Sequence, residues 1–233
     1  MNSSTTNLVW SHQVPSTNDS IKSYTSGTCF VSNSQTQGRG RNNRAWISHE
    51  GNLFFSYKLS HKNINTFLPI IVGVAIHKSL LKLSEKSLFL KWPNDILNHS
   101  GKKIAGILIE KLNDDYVIGV GINTQKVDKD NDYAHLDLQV DKLWVLNIII
   151  QNILSEILQP RKETLVYWNE NSFFQLNSIV KIHFGEKGNR GVTELIGKVK
   201  GLAEDGSLLV FDNSLNKLIN IYSGDIVNCR SMH

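Results

Sequence analysis

Before residue 176, hydrophobic residues follow two different periods along the chain. Alternating or continuous apolar runs predict strands, and apolar residues three or four apart predict helices. Strands are expected at residues 28–32, 52–59 and 88–91, with a hairpin of residues 102–111 and 116–122 around Asn113-Asp114. Helices are expected at residues 66–83, 143–158 and 163–174, and a further one begins near residues 19–24. Pro69 fits the first turn of the helix at 66–83, and Pro160 separates the last two helices.

The pattern changes near residue 176. From about Ser178, short strands alternate with turn sequences at residues 185–188, 204–206 and 212–213 and at Gly224. This spacing is typical of a small all-β barrel of about 55 residues. We therefore predict two domains, residues 1–176 and 177–233. Because the first part mixes strands and helices, the class α+β fits it better than a doubly wound parallel sheet.

Composition sets limits on the class of protein. The chain has 233 residues, 40% hydrophobic and 20% charged, which suits a packed core and excludes a disordered chain. A net charge of +4 is ordinary solubility charge and does not by itself indicate nucleic acid. Cys29 and Cys229 form no CxxC pair and fit a reducing cytosol, with a single disulfide as the less favoured alternative. Residues 1–13 lack the apolar segment of a signal peptide, and no apolar run approaches the ~20 residues of a membrane span, so we expect a cytoplasmic protein.

A glycine- and arginine-rich loop follows the first predicted strand. Residues 38–44 read Gly-Arg-Gly-Arg-Asn-Asn-Arg, without apolar periodicity. Arginine donates hydrogen bonds in a fixed fork that fits phosphates and carboxylates, so one interpretation is a mobile clamp for a polyanion such as a nucleotide. The alternative is a solvated basic loop or a nucleic-acid contact. The segment is not a dinucleotide fingerprint, because Asn43 replaces the last glycine, and no P-loop occurs in the chain.

Polar residues follow the strand at 88–91 directly, in the sequence Lys91-Trp92-Pro93-Asn94-Asp95. Side chains at strand ends are well placed to line a site. Asp95 has the chemistry to bind a magnesium ion or to orient an amine nucleophile. The alternative for Asn94 and Asp95 is a turn in which the side chain caps its own backbone.

The first strand of the hairpin carries a lysine among apolar residues. Strict alternation places Lys103 on one face with Ala105, Ile107 and Ile109, and Gly106 on the other. A lysine drawn inward needs a partner, which a bound carboxylate or phosphate would supply. The alternative is an edge-strand lysine that extends to water.

The second strand of the hairpin ends in Gly119-Val-Gly121-Ile-Asn123. Glycine inside a strand often marks the close approach of a ligand or of another backbone. The Asn123 amide donates and accepts together, as an adenine edge requires. Tight sheet packing is the alternative.

A short polar motif, Ser16-Thr17-Asn18, precedes the first predicted helix. These three side chains have the hydrogen-bonding groups to hold a polar ring such as a ureido group, and the alternative is a helix N-cap. The eight histidines are scattered and form no HExxH motif, so no metal site built from protein ligands alone is predicted.

Each motif is weak alone, but their order is specific. The series runs Ser-Thr-Asn, Gln35 with Gly-Arg-Gly-Arg-x-x-Arg-x-Trp, Gly-Asn-Leu, Lys-Trp-Pro-Asn-Asp, Lys-Ile-Ala-Gly-Ile-Leu-Ile-Glu and Gly-x-Gly-Ile-Asn. It closely resembles the catalytic domain of biotin–protein ligases over roughly residues 14–124. The resemblance implies a class II synthetase-like biotin–lipoate ligase fold, with a mixed sheet and helices, followed by a small SH3-like β-barrel.

The resemblance also implies a two-step reaction. The carboxylate of biotin attacks the α-phosphate of MgATP, which gives biotinyl-AMP and pyrophosphate. A lysine of a biotin carboxyl carrier domain then attacks the mixed anhydride. ATP and Mg²⁺ are thus the expected cofactors, biotin the substrate and a carboxylase carrier domain the protein partner.

By position, the resemblance assigns roles to the residues of these motifs. Biotin contacts would be Ser16, Thr17, Asn18, Gln35, Arg39, Gly40, Arg41, Lys103, Gly106 and Gly119. Contacts to ATP and the adenylate would be Arg41, Arg44, Trp46, Asn94, Lys103 and Asn123. The catalytic residues would be Lys103, Arg39 and Asp95, with Asp95 orienting the acceptor lysine. Asn42 and Asn43 depart from the basic or glycine residue often found inside the arginine loop of the family, which puts the mobility of the loop in doubt.

Two other functions are weighed against this one. A lipoate–protein ligase or octanoyltransferase of the same fold is the nearest alternative. A nucleic-acid-binding module is disfavoured because aromatic residues do not interleave with the basic ones. Ser16 lies only 15 residues after Met1, which leaves no room for the winged helix of bifunctional family members, so we expect no DNA binding. A homodimer is compatible with the family, and no membrane partner is expected.

Overall fold

The computed structural model describes residues 6–61, 66–125, 133–137, 141–184 and 194–228. Seven strands form the first sheet: β1 (Asn7–Val14), β2 (Thr28–Gln35), β3 (Leu53–Ser60), β4 (Leu88–Lys91), β5 (Asp95–Asn98), β6 (Lys103–Leu112) and β7 (Asp115–Ile122). Their spatial order is β1-β2-β3-β7-β6-β5-β4. All neighbours are antiparallel except β1 and β2, which run parallel. The expected mixed sheet is therefore confirmed.

The described helices are α1 (Thr17–Ser20), α2 (Leu68–Leu83), α3 (Lys142–Ile157) and α4 (Arg161–Glu170). Helix α2 is buried along most of its length and packs against α3, α4 and strands β4 and β6. An all-round apolar helix of this kind belongs in an interior. Pro69 lies in its first turn, where the missing N–H group has no intrahelical partner to lose.

A second, antiparallel sheet follows. Its strands are β8 (Ile179–His183), β9 (Glu194–Leu202), β10 (Leu208–Asp212), β11 (Lys217–Ile221) and β12 (Asp225–Asn228), in the order β11-β10-β9-β8-β12. This confirms the expected C-terminal β part and the α+β class. The predicted turn at residues 185–188 lies outside the described residues, as does Cys229.

One apolar cluster connects the two sheets. It contains Phe55 of β3, Ile76 of α2 and Val210 of β10, all fully buried. The indole Nε1 of Trp92 donates to the carbonyl of Gly206 across the junction at 2.9 Å. Because the core is continuous, the division into domains at residue 176 stays a prediction.

Three local expectations differ from the structure. The helix expected at 163–174 ends at Glu170, because the next residues pair with β4: Leu90 N donates to Asn171 O at 2.9 Å and Phe173 N to Leu90 O at 2.8 Å. Strand β1 was not predicted, because it is an edge strand whose apolar residues do not alternate with polar ones, and Leu8 and Trp10 are exposed. Strand β5 is short and follows the proline turn at Pro93 directly, where only a turn was expected.

Candidate active site

A cavity of about 250 Å³ opens between strands β6 and β7 and the segment of residues 38–46, here called the arginine loop. Every predicted site residue except Asn123 lines it. Seven further lining residues had no contact assigned to them from the sequence, although Gly121 was noted there as a strand glycine: Ala45, Ile107, Leu108, Val120, Gly121, Tyr133 and Asp225. Motifs spread over more than a hundred residues therefore converge on one site.

One end of the cavity, here called the neutral end, consists of uncharged hydrogen-bonding side chains. Gln35 Oε1 accepts from the Thr17 backbone N–H at 2.8 Å and lies 3.1 Å from Thr17 Oγ1. Ser56 Oγ, fully buried, lies 2.9 Å from Thr17 Oγ1 and 2.6 Å from Asn18 Oδ1. Such a buried, connected network fixes the orientation of the Gln35 and Asn18 amides. A rigid polar surface of this kind suits a small ring with both donors and acceptors.

Ser16 belongs to the same end. It is buried at the N-cap position of α1, yet its side chain makes no capping hydrogen bond. The capping role considered for Ser16 is therefore not seen, and its side chain lines the cavity instead.

The glycines of β6 and β7 leave room for two side chains of the site. A methyl group at Gly119 would collide with the amide of Asn18. A methyl group at Gly121 would lie 2.5 Å from the indole ring of Trp46, and one at Gly106 would lie 2.7 Å from it. These glycines thus allow close approach of the protein's own side chains to the sheet, whereas the sequence suggested a ligand, another backbone or tight sheet packing.

The arginine loop is a short hairpin. Arg39 and Ala45 form an antiparallel bridge, Gly40 N donates to Arg44 O at 2.7 Å and Trp46 N donates to Gly38 O at 2.8 Å. At its tip, Asn42 and Asn43 have φ angles of 54° and 56°. Asparagine enters this left-handed region more readily than most residues, so the two asparagines fit the turn.

The three arginines of the loop differ in their ion pairs. Arg39 forms a fork with both carboxylate oxygens of Asp19 and also donates to Glu110 at 3.1 Å. The hydrogen bond with Asp19 raises the pKa of Arg39 and holds the pKa of the Asp19 carboxyl well below its usual range. Arg39 is therefore already neutralised by protein carboxylates.

Arg44 pairs with Asp225, the first residue of β12. Burial opposes ionisation of Asp225, but the hydrogen bond and charge of Arg44 outweigh it and lower the pKa of the carboxyl. The second sheet thereby contributes a residue to the cavity.

Arg41 is the exception. Among the described residues it has no carboxylate within ion-pair distance, and its one polar side-chain contact is with Asn94 Oδ1 at 3.5 Å. Desolvation lowers the pKa of Arg41, against the attraction of the more distant Asp225 and Asp95. A desolvated cation with so little compensation is poised to bind an anion.

Lys103 projects into the cavity, but not on the face that the alternation predicts. Its Nζ lies beside Gly106, where a methyl group added to the glycine would be 2.8 Å away from it. The reason is a β-bulge: Ile96 pairs with Ala105 and its neighbour Leu97 with Lys103, so Ile104 is an extra residue in β6. The expectation that Lys103 shares a face with Ala105, Ile107 and Ile109 was therefore wrong.

Lys103 is placed between a carboxylate and an aromatic ring. Its Nζ lies 2.7 Å from Asp95 Oδ1 and 4.8 Å from the centre of the Trp46 ring. The contact with Asp95 is a charge contact only, because Oδ1 makes no hydrogen bond of acceptable angle within the described residues. The buried Nε1 of Trp46 is likewise without a hydrogen bond there. Of the two atoms, Asp95 Oδ1 thus has the Lys103 charge beside it, and Trp46 Nε1 has no polar partner in this part of the chain.

The two predicted asparagines on the nucleotide side have different positions. Asn94 lines the cavity and donates to Ile107 O at 2.7 Å. Asn123 lies behind Lys103 and donates to its backbone carbonyl at 3.2 Å, so the structure places it next to the site and not on the cavity wall.

Sequence reasoning missed four residues of the site: Asp19, Ser56, Glu110 and Asp225. Glu110 was quoted as the end of a motif without a role, although alternation from Gly106 places it on the cavity face. Ser56 is a small polar residue between the large buried residues Phe55 and Tyr57 of β3, which was a usable signal. Asp225 gave no signal at all, because its partner lies 181 positions earlier.

Two further observations concern other kinds of site. Within the described ranges, no three His, Cys, Asp or Glu side chains come together in a way that could hold a metal ion. No helix in that part of the chain is long and apolar enough to cross a membrane.

Comparison with known proteins identifies related sequences. The bifunctional ligase/repressor BirA of Bacillus subtilis is 34% identical over 113 residues, 45% of this chain and 34% of that protein. BirA of Escherichia coli is 28% identical over 220 residues, 85% of this chain and 66% of that protein. The chain thus spans between a third and two thirds of the length of these two relatives. A biotin–[acetyl-CoA-carboxylase] ligase of Mycobacterium tuberculosis is 27% identical, over 88% of this chain and 80% of that protein.

The fold is also found among solved structures. The biotin protein ligase of Aquifex aeolicus, in complex with biotin and ATP, superposes with a TM-score of 0.82 at 29% identity, covering 96% of this chain and 98% of that one. Residues 7–123, which contain all of the predicted motifs but none of the second sheet, match the model of one family. The chain belongs to the biotin/lipoate A/B protein ligase family.

Proposed function

We propose that the chain is an ATP-dependent biotin–protein ligase that forms biotinyl-AMP and transfers biotin to a lysine of a biotin carboxyl carrier domain. The observation that carries the proposal is a single cavity with a rigid neutral end and a cationic end. Biotin has the same division, with a ureido ring at one end and a carboxylate at the other. The names of the relatives, and the biotin and ATP in the Aquifex structure, support the same choice.

At the neutral end, Ser16, Thr17, Asn18 and Gln35 would bind the ureido ring. A ureido group offers two N–H donors and one carbonyl acceptor, which hydroxyl and amide side chains match. The fixed network through Ser56 would hold these side chains in place before the ligand arrives, so that little entropy is lost on binding.

At the cationic end, Arg41 and Lys103 would stabilise the charge of the first step. When the biotin carboxylate attacks the α-phosphate, negative charge accumulates on the phosphoryl oxygens. Preorganised cations in a partly desolvated site are the usual means of lowering such a barrier. Trp46, Asn94 and Arg44 would support the nucleotide, with Asn123 holding the backbone of Lys103. Magnesium enters as MgATP.

In the second step, Asp95 would orient the acceptor amine. Its carboxylate lies beside Lys103 in the cavity lining, and a carboxylate has several lone pairs, so it can also accept a hydrogen bond from an incoming lysine. The arginine loop, closed over the adenylate, would keep water from the labile anhydride. We further propose a cytoplasmic location. A homodimer would be compatible with the family.

The nearest rival is lipoate or octanoate as substrate. Neither the dithiolane ring of lipoate nor an alkyl tail has an N–H or carbonyl group, and either would leave the hydroxyl and amide groups of the neutral end without partners. Buried polar groups left unpaired lower affinity for the wrong ligand by orders of magnitude. The neutral end therefore favours biotin.

The decisive experiment is ATP–pyrophosphate exchange with biotin and, in parallel, lipoate. It needs no acceptor protein. We expect exchange with biotin only, reduced on the order of 100-fold in Lys103→Gln and in Arg41→Gln. Glu194→Gln, which removes a surface carboxylate that pairs with Lys181 in the second sheet, is the matched control and should exchange normally. Exchange with lipoate alone would keep the fold and change the substrate, and no exchange from folded protein would refute the proposal.

A further inference from the structure

We propose that Glu110 is a positioning residue that fastens the arginine loop to the neutral end of the cavity. The inference deepens the proposed function, on which its kinetic consequences rest. The contacts themselves do not depend on what the ligand is.

Glu110 binds two side chains at once. Its Oε2 accepts from Asn18 Nδ2 at 2.7 Å, and Arg39 Nη2 donates to Oε1 at 3.1 Å and to Oε2 at 3.3 Å. Asn18 belongs to the neutral end and Arg39 to the arginine loop. One carboxylate therefore connects the two parts of the site that would hold opposite ends of the ligand.

The carboxylate is mounted on a rigid support. Glu110 lies in regular β6, where it pairs with Val117 of β7, and its side chain is 30% exposed. Its contact also decides which way the Asn18 amide faces: Nδ2 points to Glu110, and Oδ1 to Ser56. Loss of the negative charge removes one of the two contacts that set this orientation and leaves only the one with Ser56.

A second carboxylate completes the contact. Asp19 pairs with Arg39 and, at 2.7 Å, with Lys22. The positive charges of Arg39 and Lys22 therefore balance the negative charges of Asp19 and Glu110. Because Arg39 is held by two protein carboxylates, it is poorly placed to bind a substrate anion. Arg39 then anchors the loop, and Arg41, which has no carboxylate within ion-pair distance among the described residues, remains as the cation of the loop for the ligand.

The first test measures the loop in ligand-free protein. Trypsin cleaves after arginine, and the hairpin hydrogen bonds of the closed loop protect the bonds after Arg41 and Arg44 until the loop opens. Cleavage from a transiently open state follows the population of that state. Glutamine at position 110 has one acceptor oxygen and cannot satisfy both Asn18 and Arg39. We expect Glu110→Gln to speed cleavage at these bonds about five- to tenfold, as loss of a partly exposed charge-assisted contact implies.

Asp19→Asn gives an independent variant. Asp19 is 46% exposed, so its substitution leaves the interior unchanged, and cleavage should again rise severalfold. If Glu110→Gln does not fold, the cleavage rate of Asp19→Asn still measures whether the ion pairs of Arg39 hold the loop closed. Glu194→Gln, the surface control, should match the wild type. Unchanged loop cleavage in the folded variants would overturn the proposal, whether or not the protein is a biotin ligase.

The second test separates positioning from general damage. In the exchange assay, Glu110→Gln should raise KM for biotin at least fivefold while KM for ATP changes less than twofold, because the Asn18 amide is released at the neutral end. Glu194→Gln, the surface control, should leave both KM values at those of the wild type. Equal changes in both KM values would contradict the role. Absence of exchange in the wild type would reject the proposed function, and the trypsin result would still decide the role of Glu110.

Discussion

Gly121→Ala is expected to impair the use of ATP through Trp46. A methyl group at this position would lie 2.5 Å from Cζ2 and 2.6 Å from Cε2 of the indole ring. That is about 1 Å inside normal contact between carbon atoms. Gly121 cannot retreat, because it pairs with Phe54 on one side and with Gly106 on the other, in the middle of the sheet. The ring, at the cavity wall, must move instead.

Displacement of the Trp46 ring should lower kcat/KM for ATP, by an amount that can be worked out roughly. Trp46 lies on the nucleotide side, and its ring centre is 4.8 Å from Lys103 Nζ. A shift of ~1 Å in a positioned group can reduce a rate by ~100-fold. We therefore expect kcat/KM for ATP to fall by about 10- to 100-fold, with KM for biotin nearly unchanged. The free energy of unfolding should fall by only about 1–3 kcal/mol, as is usual for overpacking.

The assay is pyrophosphate exchange with each substrate varied in turn, together with urea unfolding. Gly73→Ala is the control, because a methyl group there would lie 2.9 Å from Trp168 Cζ3, in helix α2 and outside the cavity. It overpacks a tryptophan in the same way but should leave both KM values unchanged. Normal ATP kinetics in folded Gly121→Ala protein would refute the reasoning, and an equal loss in Gly73→Ala would show that the effect is general destabilisation.

Three further predictions concern stability and reactivity. Burial lowers the pKa of His77, whose ring nitrogens lie 3.0 Å from a tyrosine hydroxyl and 2.9 Å from a backbone carbonyl. Because protonation then favours the unfolded chain, the free energy of unfolding should fall as pH drops through about 6.5, the ordinary histidine pKa. Urea unfolding between pH 7.5 and 5.5 measures this dependence of stability on pH, which should be weaker in His77→Gln. Glu156, only 5% exposed, accepts from Thr164 Oγ1 at 2.9 Å and from Lys78 at 2.8 Å. Because water can solvate the 35% exposed Lys78 that is left behind, Glu156→Ala should lower the free energy of unfolding in urea by about 1–3 kcal/mol, and no measurable loss would show that these contacts contribute little. Burial raises the pKa of the Cys29 thiol. In a Cys229→Ser variant, a thiol reagent should therefore react with Cys29 only in unfolded protein. Rapid reaction of the native protein would show that strand β2, which carries Cys29, opens.

Much of the fold follows from local patterns. The strand at Leu88–Lys91 and the hairpin around Asn113 were predicted within a residue or two, because period, proline and turn residues act over a few positions. Strand β1 was not predicted, since an edge strand with one neighbour needs few apolar residues. The bulge at Ile104 was not predicted either, because the extra residue is defined only by pairing with β5.

For the site, the sequence by itself determined the chemistry. The predicted site residues make up 14 of the 21 residues that line the cavity, and they indicated a neutral group at one end and cations at the other. Residue type and order are one-dimensional properties, so they can be seen without a fold.

Only the tertiary structure decided which charges remain free for a ligand. The sequence presents Arg39, Arg41 and Arg44 as equivalent. In the structure Arg39 pairs with Asp19 and Glu110, and Arg44 pairs with Asp225. Arg41 has no carboxylate in contact among the described residues. These partners come from α1, β6 and β12, up to 181 positions away. Whether a charge is compensated depends on distance in space and on desolvation, and neither is encoded in any local pattern of the chain.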